Sequence, residues 1–159
     1  MSKVVVIGGG AAGMFASISA AGCGHQVVVY EKNEKLGKKL YITGKGRCNI
    51  TNACDMEGLF DAVRTNAKFL YSSFYGYTNQ QVIDFFERIG VPTKIERGDR
   101  VFPVSDHSSD VIAALQRVLK KDQVEIRLHS EVDTLLYEDS GEEGQKKVCG
   151  VRLSDGEKI

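Results

Sequence analysis

The sequence predicts an α/β fold built on a parallel β-sheet. Three observations carry this expectation. The apolar run Val4-Val5-Val6-Ile7 ends directly on the glycines Gly8, Gly9 and Gly10. A segment of small side chains, Ala11 to Ala21, follows it. A second apolar run, Val27 to Tyr30, then ends on the acid Glu31. Short, uninterrupted apolar runs are expected of strands covered on both faces. Strand, helix and strand in this order give a right-handed β-α-β unit.

Lys3 to Gly8 is the expected first strand, and Gly22 or Gly24 stops the helix after it. His25 to Lys32 is the second strand. Met56 to Phe74 reads as one helix with Phe60, Val63 and Leu70 as apolar positions. Thr78 and Gln81 have the spacing of a capping box for a further helix. That helix carries Val82, Ile83, Phe85, Phe86 and Ile89, and Gly90 and Pro92 end it. Thr93 to Ser105 reads as two short strands around Gly98, with Asp99 and Arg100 salt-bridged in the turn. Ser109 to Lys121 has an apolar face of Val111, Ile112, Leu115, Val118 and Leu119. Val124 to Val132 alternates as a strand. The last segments, on either side of "SGEEGQK", form a hairpin. The Asp155-Gly156 turn signal near the end leads to the expectation of a chain cut short of its next strand.

The 159 residues carry a formal net charge of zero, which argues against nucleic acid or an anionic membrane as partner. No apolar run approaches membrane-spanning length and no secretory signal is visible, so a cytoplasmic protein is expected. The cysteines Cys23, Cys48, Cys54 and Cys149 form no C-x-x-C pair and no zinc spacing. His25, His107 and His129 are not spaced as metal ligands, and no metal site is expected.

Gly8, Gly10 and Gly13 make G-x-G-x-x-G between a strand and a helix. The first glycine permits a tight turn, the second lets backbone approach a pyrophosphate, and the third allows close helix–strand packing. Ala11 and Ala12 open the helix, whose free N–H groups favour an anion. Glu31 lies 18 residues after Gly13, close to the spacing of about 20 at which an acid meets a ribose diol. A carboxylate there repels a 2′-phosphate, which favours FAD or NAD over NADP. The connection "GKKLYITGKGRCNITN" is unusually rich in glycine and cations. Glycines allow close approach to a flat ring, and charge near such a ring tunes a cofactor. This points to FAD.

These stretches, "VVVIGGGAAGMFA", "EKNEKLGKKLYITGKGRCNITN" and "RVFPVSDHSSDVIAAL", together resemble the BaiN-like and aminoacetone-oxidase-like family of FAD-dependent oxidoreductases. The resemblance implies a Rossmann-like, glutathione-reductase-type FAD-binding domain, a parallel sheet with a β-meander. Residues 1–159 would be the N-terminal part of an FAD/NAD(P)-binding domain, incomplete at the C-terminus, without the substrate domain and the closing FAD segment. It implies Glu31 at the adenosine ribose with Lys32 and Lys39 nearby, and Val132 with its backbone against adenine. It also implies Thr43, Gly44, Gly46, Arg47, Cys48 and Asn49 near the flavin. The substrate would be a small organic molecule, reduced with NAD(P)H or oxidised as an amine. An NAD-dependent enzyme without flavin and a non-catalytic nucleotide-binding module are the alternatives. No catalytic acid or base emerges from the sequence.

Cys48 beside Arg47 reads as a packing residue or as a thiol of lowered pKa. The aromatic residues Phe69, Tyr71, Phe74, Tyr75 and Tyr77 are expected in the core, with a substrate cavity as the alternative.

Overall fold

A computed structural model describes residues 1–141 and 145–159. The elements are β1 (Lys3–Ile7), α1 (Ala11–Gly22), β2 (Gln26–Tyr30), β3 (Thr51–Asn52), α2 (Met56–Asp61), α3 (Tyr71–Gly76), α4 (Asn79–Arg88), β4 (Thr93–Glu96), β5 (Arg100–Pro103), α5 (Ser108–Lys121), β6 (Glu125–Arg127), β7 (Val132–Asp139) and β8 (Lys146–Leu153). They divide into two units, Met1–Lys38 with Leu119–Ile159, and Lys39–Val118.

The first unit holds the parallel sheet in the order β1-β2-β6. β2 is central, in register Val4↔Val27 and Val6↔Val29 on one side and Val29↔Ile126 on the other. A strand bonded on both edges and covered on both faces needs apolar side chains throughout, and Val27 to Tyr30 are all buried. β7 and β8 pair antiparallel, as the hairpin expectation required. Part of its connection, residues 142–144, lies outside the described residues. After β8, Gly156 takes φ +95° and turns the chain back, so that Val151 and Ile159 exchange backbone hydrogen bonds of 3.0 and 2.9 Å. Val28, Tyr30 and Leu153 form a core against which Val5, Val132 and Ile159 pack.

The second unit holds an antiparallel sheet in the order β3-β5-β4, with Val101 and Phe102 of the central strand buried. The capping box is present: the Thr78 hydroxyl accepts from Gln81 N at 3.2 Å, and the Gln81 side chain accepts from Thr78 N at 2.8 Å. α4 buries Phe85 and Phe86, and the part of α5 in this unit buries Val111, Ile112 and Leu115.

Four sequence expectations need correction. The single helix over Met56 to Phe74 is two short helices, with a 3₁₀ turn at Ala67–Leu70 before the second. Asn66 stands at φ +53°, a left-handed conformation that a right-handed helix cannot pass through. The strand expected over Val124 to Val132 is only Glu125–Arg127, because His129 is at φ +54° and turns the chain before β7. The Gly98-Asp99 turn rests on positive φ of 76° and 56°, and no Asp99–Arg100 ion pair forms among the described residues. Arg100 Nε instead donates to the Arg97 carbonyl at 3.0 Å. The aromatic residues are not core: Phe69 is 78% exposed and Tyr75 60%. Phe60 stacks on Tyr71 at 4.6 Å, so these rings satisfy one another near the surface.

Thr78→Ala removes one half of the capping box and is expected to cost about 1 kcal/mol. Urea denaturation of wild type and variant measures it.

Candidate functional site

In the first unit the glycine turn and Glu31 form one hydrogen-bonded cradle. Gly8 has φ +92°, and its N–H donates to the Tyr30 carbonyl at 2.8 Å. Gly9 is buried, and its N–H donates to Glu31 Oε2 at 2.6 Å. Gly10 caps α1 with open space where a Cβ would stand. A Cβ on Gly13 would lie 1.9 Å from the Gly8 carbonyl oxygen, so the close helix–strand approach expected of this glycine is present. Ala11 and Ala12 are exposed at the start of α1, where no side chain caps the helix and no acid occupies the first turn. The first-turn N–H groups therefore form a cradle suited to a pyrophosphate.

Glu31 is 6% exposed. Besides Gly9 N–H, its carboxylate accepts from Asn33 N at 2.8 Å and Asn33 Nδ2 at 2.5 Å. A carboxylate offers about four acceptor positions, so one remains beyond these three hydrogen bonds. Burial pushes the Glu31 carboxyl upward, but the hydrogen bonds from Asn33 and Gly9, with the nearby Lys32 charge, outweigh it and hold it below the ordinary glutamate value of 4.5. Lys32 forms an exposed ion pair of 3.4 Å with Glu131. Val132 begins β7, half-buried and paired with Leu153.

Two contributors escaped the sequence reading. A Cβ on Gly9 would fall 2.2 Å from Leu36 Cδ2 and 3.2 Å from Glu31 Oε2, so a side chain there must displace the Leu36 side chain and press on the carboxylate. Asn33 is the other. Its backbone and side-chain N–H groups both reach the Glu31 carboxylate, a pairing of near neighbours that no motif in the sequence singled out. Lys38 joins this network, donating to Asn33 Oδ1 at 3.2 Å.

The second unit contains Lys39 and the segment Thr43 to Asn49. Thr43 is extended at ψ 148°, and Gly44, Lys45, Gly46 and Cys48 follow with φ of 55°, 57°, 85° and 62°. Left-handed conformations cost ordinary residues roughly 1–2 kcal/mol each. Lys45 and Cys48 therefore sit in strained positions. A Cβ on Gly44 would approach Asn49 N to 2.9 Å and Phe102 Cε1 to 3.2 Å. The turn closes through Arg47 N to Gly44 O at 3.2 Å and Cys48 N to Thr43 O at 3.1 Å. Lys39, Lys45 and Asn49 are exposed.

The lowered-pKa reading of Cys48 is overturned. The thiol is buried, and burial pushes it up against a smaller opposing hydrogen bond with Thr43. The neighbouring Arg47 cation does not face it as a free charge. Arg47 donates to Asp106 Oδ1 from Nε at 2.8 Å and from Nη2 at 2.5 Å, and to both oxygens of Glu96. His25 Nδ1 accepts from Ser2 N at 3.3 Å, which leaves it a structural contact. Among the described residues no helix is long and apolar enough to cross a membrane.

The profile of the HI0933-like protein Rossmann domain matches residues 2–155. The chain belongs to this family. The 3-dehydro-bile acid delta(4,6)-reductase of Clostridium scindens is 36% identical over 139 residues, 85% of this chain and 33% of that protein. The ribosomal RNA dihydrouridine synthase of Escherichia coli is 30% identical over 137 residues, 86% of this chain and 34% of that protein. The chain thus spans about a third of the length of these curated relatives. A 3-ketosteroid-delta4-(5alpha)-dehydrogenase from Rhodococcus jostii superposes with a TM-score of 0.68 at 18% identity, over 99% of this chain and 43% of that one. This last likeness concerns the fold, and it agrees with the Rossmann-like class expected from the sequence.

Gly13→Ala must displace the Gly8 backbone and is expected to destabilise the protein by roughly 1–3 kcal/mol, whereas Gly10→Ala enters open space and leaves thermal stability close to wild type. Calorimetry separates the two. The Glu31 carboxyl titrates lower folded than unfolded, so its stabilisation is present above about pH 4.5 and is lost as pH falls through the depressed folded value. The stability gap between wild type and Glu31→Gln should stay constant from about pH 8 to 6 and shrink below about pH 4.5. A gap that grows on acidification contradicts the assignment.

Proposed function

We propose that this chain is the FAD-binding part of a flavin-dependent oxidoreductase that reduces a carbon–carbon double bond in an organic substrate. The observation that carries the reading is the cradle in which Gly9 and Asn33 bind the Glu31 carboxylate beside the uncapped start of α1. In it the N–H groups of Ala11, Ala12 and Gly13 receive the pyrophosphate, with Gly8 and Gly10 leaving the backbone free of side chains. Glu31 accepts a hydrogen bond from the adenosine ribose through its remaining acceptor position. It also disfavours a 2′-phosphate. Lys32 and Lys39 are assigned near the adenosine ribose, and the Val132 backbone serves the adenine. Thr43, Gly44, Gly46, Arg47, Cys48 and Asn49 form the segment assigned to the flavin.

Bound FAD supplies hydride transfer at the flavin ring, with NAD(P)H as the proposed reductant. The residues of this chain bind and orient. The buried, unactivated Cys48 thiol takes no redox part in this reading. The names of the two curated relatives, a delta(4,6)-reductase and a dihydrouridine synthase, both support saturation of a double bond as the reaction class.

Purified protein is expected to be yellow with a flavin absorbance spectrum. Glu31→Ala is expected to weaken FAD binding roughly tenfold or more, the loss of a hydrogen bond to a charged group. Equilibrium titration followed by flavin fluorescence measures it. A colourless protein that takes up NADH but no FAD would favour the NAD-dependent alternative, and unchanged FAD affinity in the variant removes Glu31 from the ribose role.

A further inference from the structure

Arg47 and Lys94 meet Glu96 and Asp106 in an ionic cluster of zero net formal charge. Arg47 engages both carboxylates through Nε, Nη1 and Nη2. Lys94 Nζ donates to Asp106 Oδ2 at 2.7 Å and lies 3.6 Å from Glu96 Oε1. Each carboxylate therefore faces both cations. The guanidinium carbon also stands 4.2 Å from the centre of the Phe102 ring. Charge pairing and stacking together fix this side chain. This use of the planar fork is one that a lysine cannot reproduce.

The backbone that carries Arg47 needs such an anchor. The residues before and after it are left-handed, at φ 85° for Gly46 and 62° for Cys48. Two backbone hydrogen bonds, of 3.2 and 3.1 Å, close the turn. A strained conformation persists only where its surroundings over-determine it. Glu96 sits on β4 and Asp106 follows β5, so the clamp ties the turn to the edge and centre of an antiparallel sheet.

We infer that Arg47 is a positioning residue, clamped by Glu96, Asp106 and Lys94 over Phe102 so that the Thr43 to Asn49 backbone is held in its left-handed conformation, and that it is not a free cation offered to the cofactor. The flavin readouts of this inference rest on the FAD reading above. The clamp itself stands on contacts within the second unit. The carboxyls of Glu96 and Asp106 are held below their ordinary values by hydrogen bonds from Arg47 and Lys94, as a persistent clamp requires.

The test compares wild type with Arg47→Lys, Glu96→Gln, Asp106→Asn and the double variant Arg47→Lys/Glu96→Gln. The clamp predicts that each single change lowers FAD affinity by about tenfold, the size of one charge-assisted hydrogen bond, and alters the visible circular dichroism of bound flavin. It also predicts that the double variant is no worse than the poorer single one. A free cation predicts the opposite signs: Arg47→Lys near wild type, and tighter FAD with a raised flavin potential once a carboxylate charge is removed. Those results overturn the inference. If Arg47→Lys fails to fold, the two carboxamide variants decide alone, because the two roles predict opposite changes for them. A cofactor-independent arm uses trypsin at the exposed Lys45. Cleavage there should accelerate several-fold in Glu96→Gln and Asp106→Asn, and an unchanged rate overturns the clamp. Wild-type protein without flavin overturns the FAD reading, and the trypsin arm then still decides the clamp.

Discussion

A buried carboxylate is costly unless every oxygen finds a donor, and this requirement organises the first unit around Glu31. The end of β2 would be a poor place for a charge without the Gly9 N–H at 2.6 Å and the two donors of Asn33. To deliver the Gly9 N–H, the backbone after β1 must fold back tightly over β2. That in turn leaves little room for a side chain at Gly9, where a Cβ would press on Leu36 and Glu31. The same turn brings the Gly8 carbonyl against α1, where only Gly13 leaves room for it. The parallel pairing of β1 with β2, the turn and the start of α1 are therefore one coupled arrangement. Its outward product is a helix N-terminus without an internal counter-charge, beside an acid with one acceptor position left.

The second unit solves a different problem. Its glycine-rich segment has little regular structure, and four of its residues are left-handed. Glycine reduces the cost at two of them, but Lys45 and Cys48 have no such relief. The burial of Cys48 and the engagement of Arg47 by two carboxylates supply what the backbone lacks. The cations that make this stretch conspicuous in the sequence thus divide. Arg47 is engaged by two carboxylates, while Lys39 and Lys45 remain exposed.

Much of this was legible in the sequence, and the reasons are local. The apolar runs at Val4 and Val27 have no stable place except between covered faces, and the Thr78–Gln81 pair can close a capping box within one turn. The fingerprint glycines with Glu31 point to a dinucleotide cradle because each answers a steric or electrostatic demand that its own position creates. The errors were also local. The helix over Met56 to Phe74 has acceptable spacing, and nothing in the spacing shows that Asn66 leaves the right-handed region. The aromatic run looks like core by composition, yet its rings stack on one another near solvent.

By itself the sequence determined the β-α-β start, the position of the glycine turn and the acid that faces it, since these follow from periodicity and from contacts between near neighbours. It also determined the family, through the distinctive "TGKGRCNITN" segment. Tertiary structure alone decided what surrounds Arg47 and Cys48. Glu96 and Asp106 lie 49 and 59 residues away from Arg47, and no local pattern announces that they neutralise it. Burial, equally non-local, turned Cys48 from a candidate reactive thiol into a packing residue. Charge and acidity belong to the folded surroundings of a side chain, and those surroundings exist only once distant segments have been brought together.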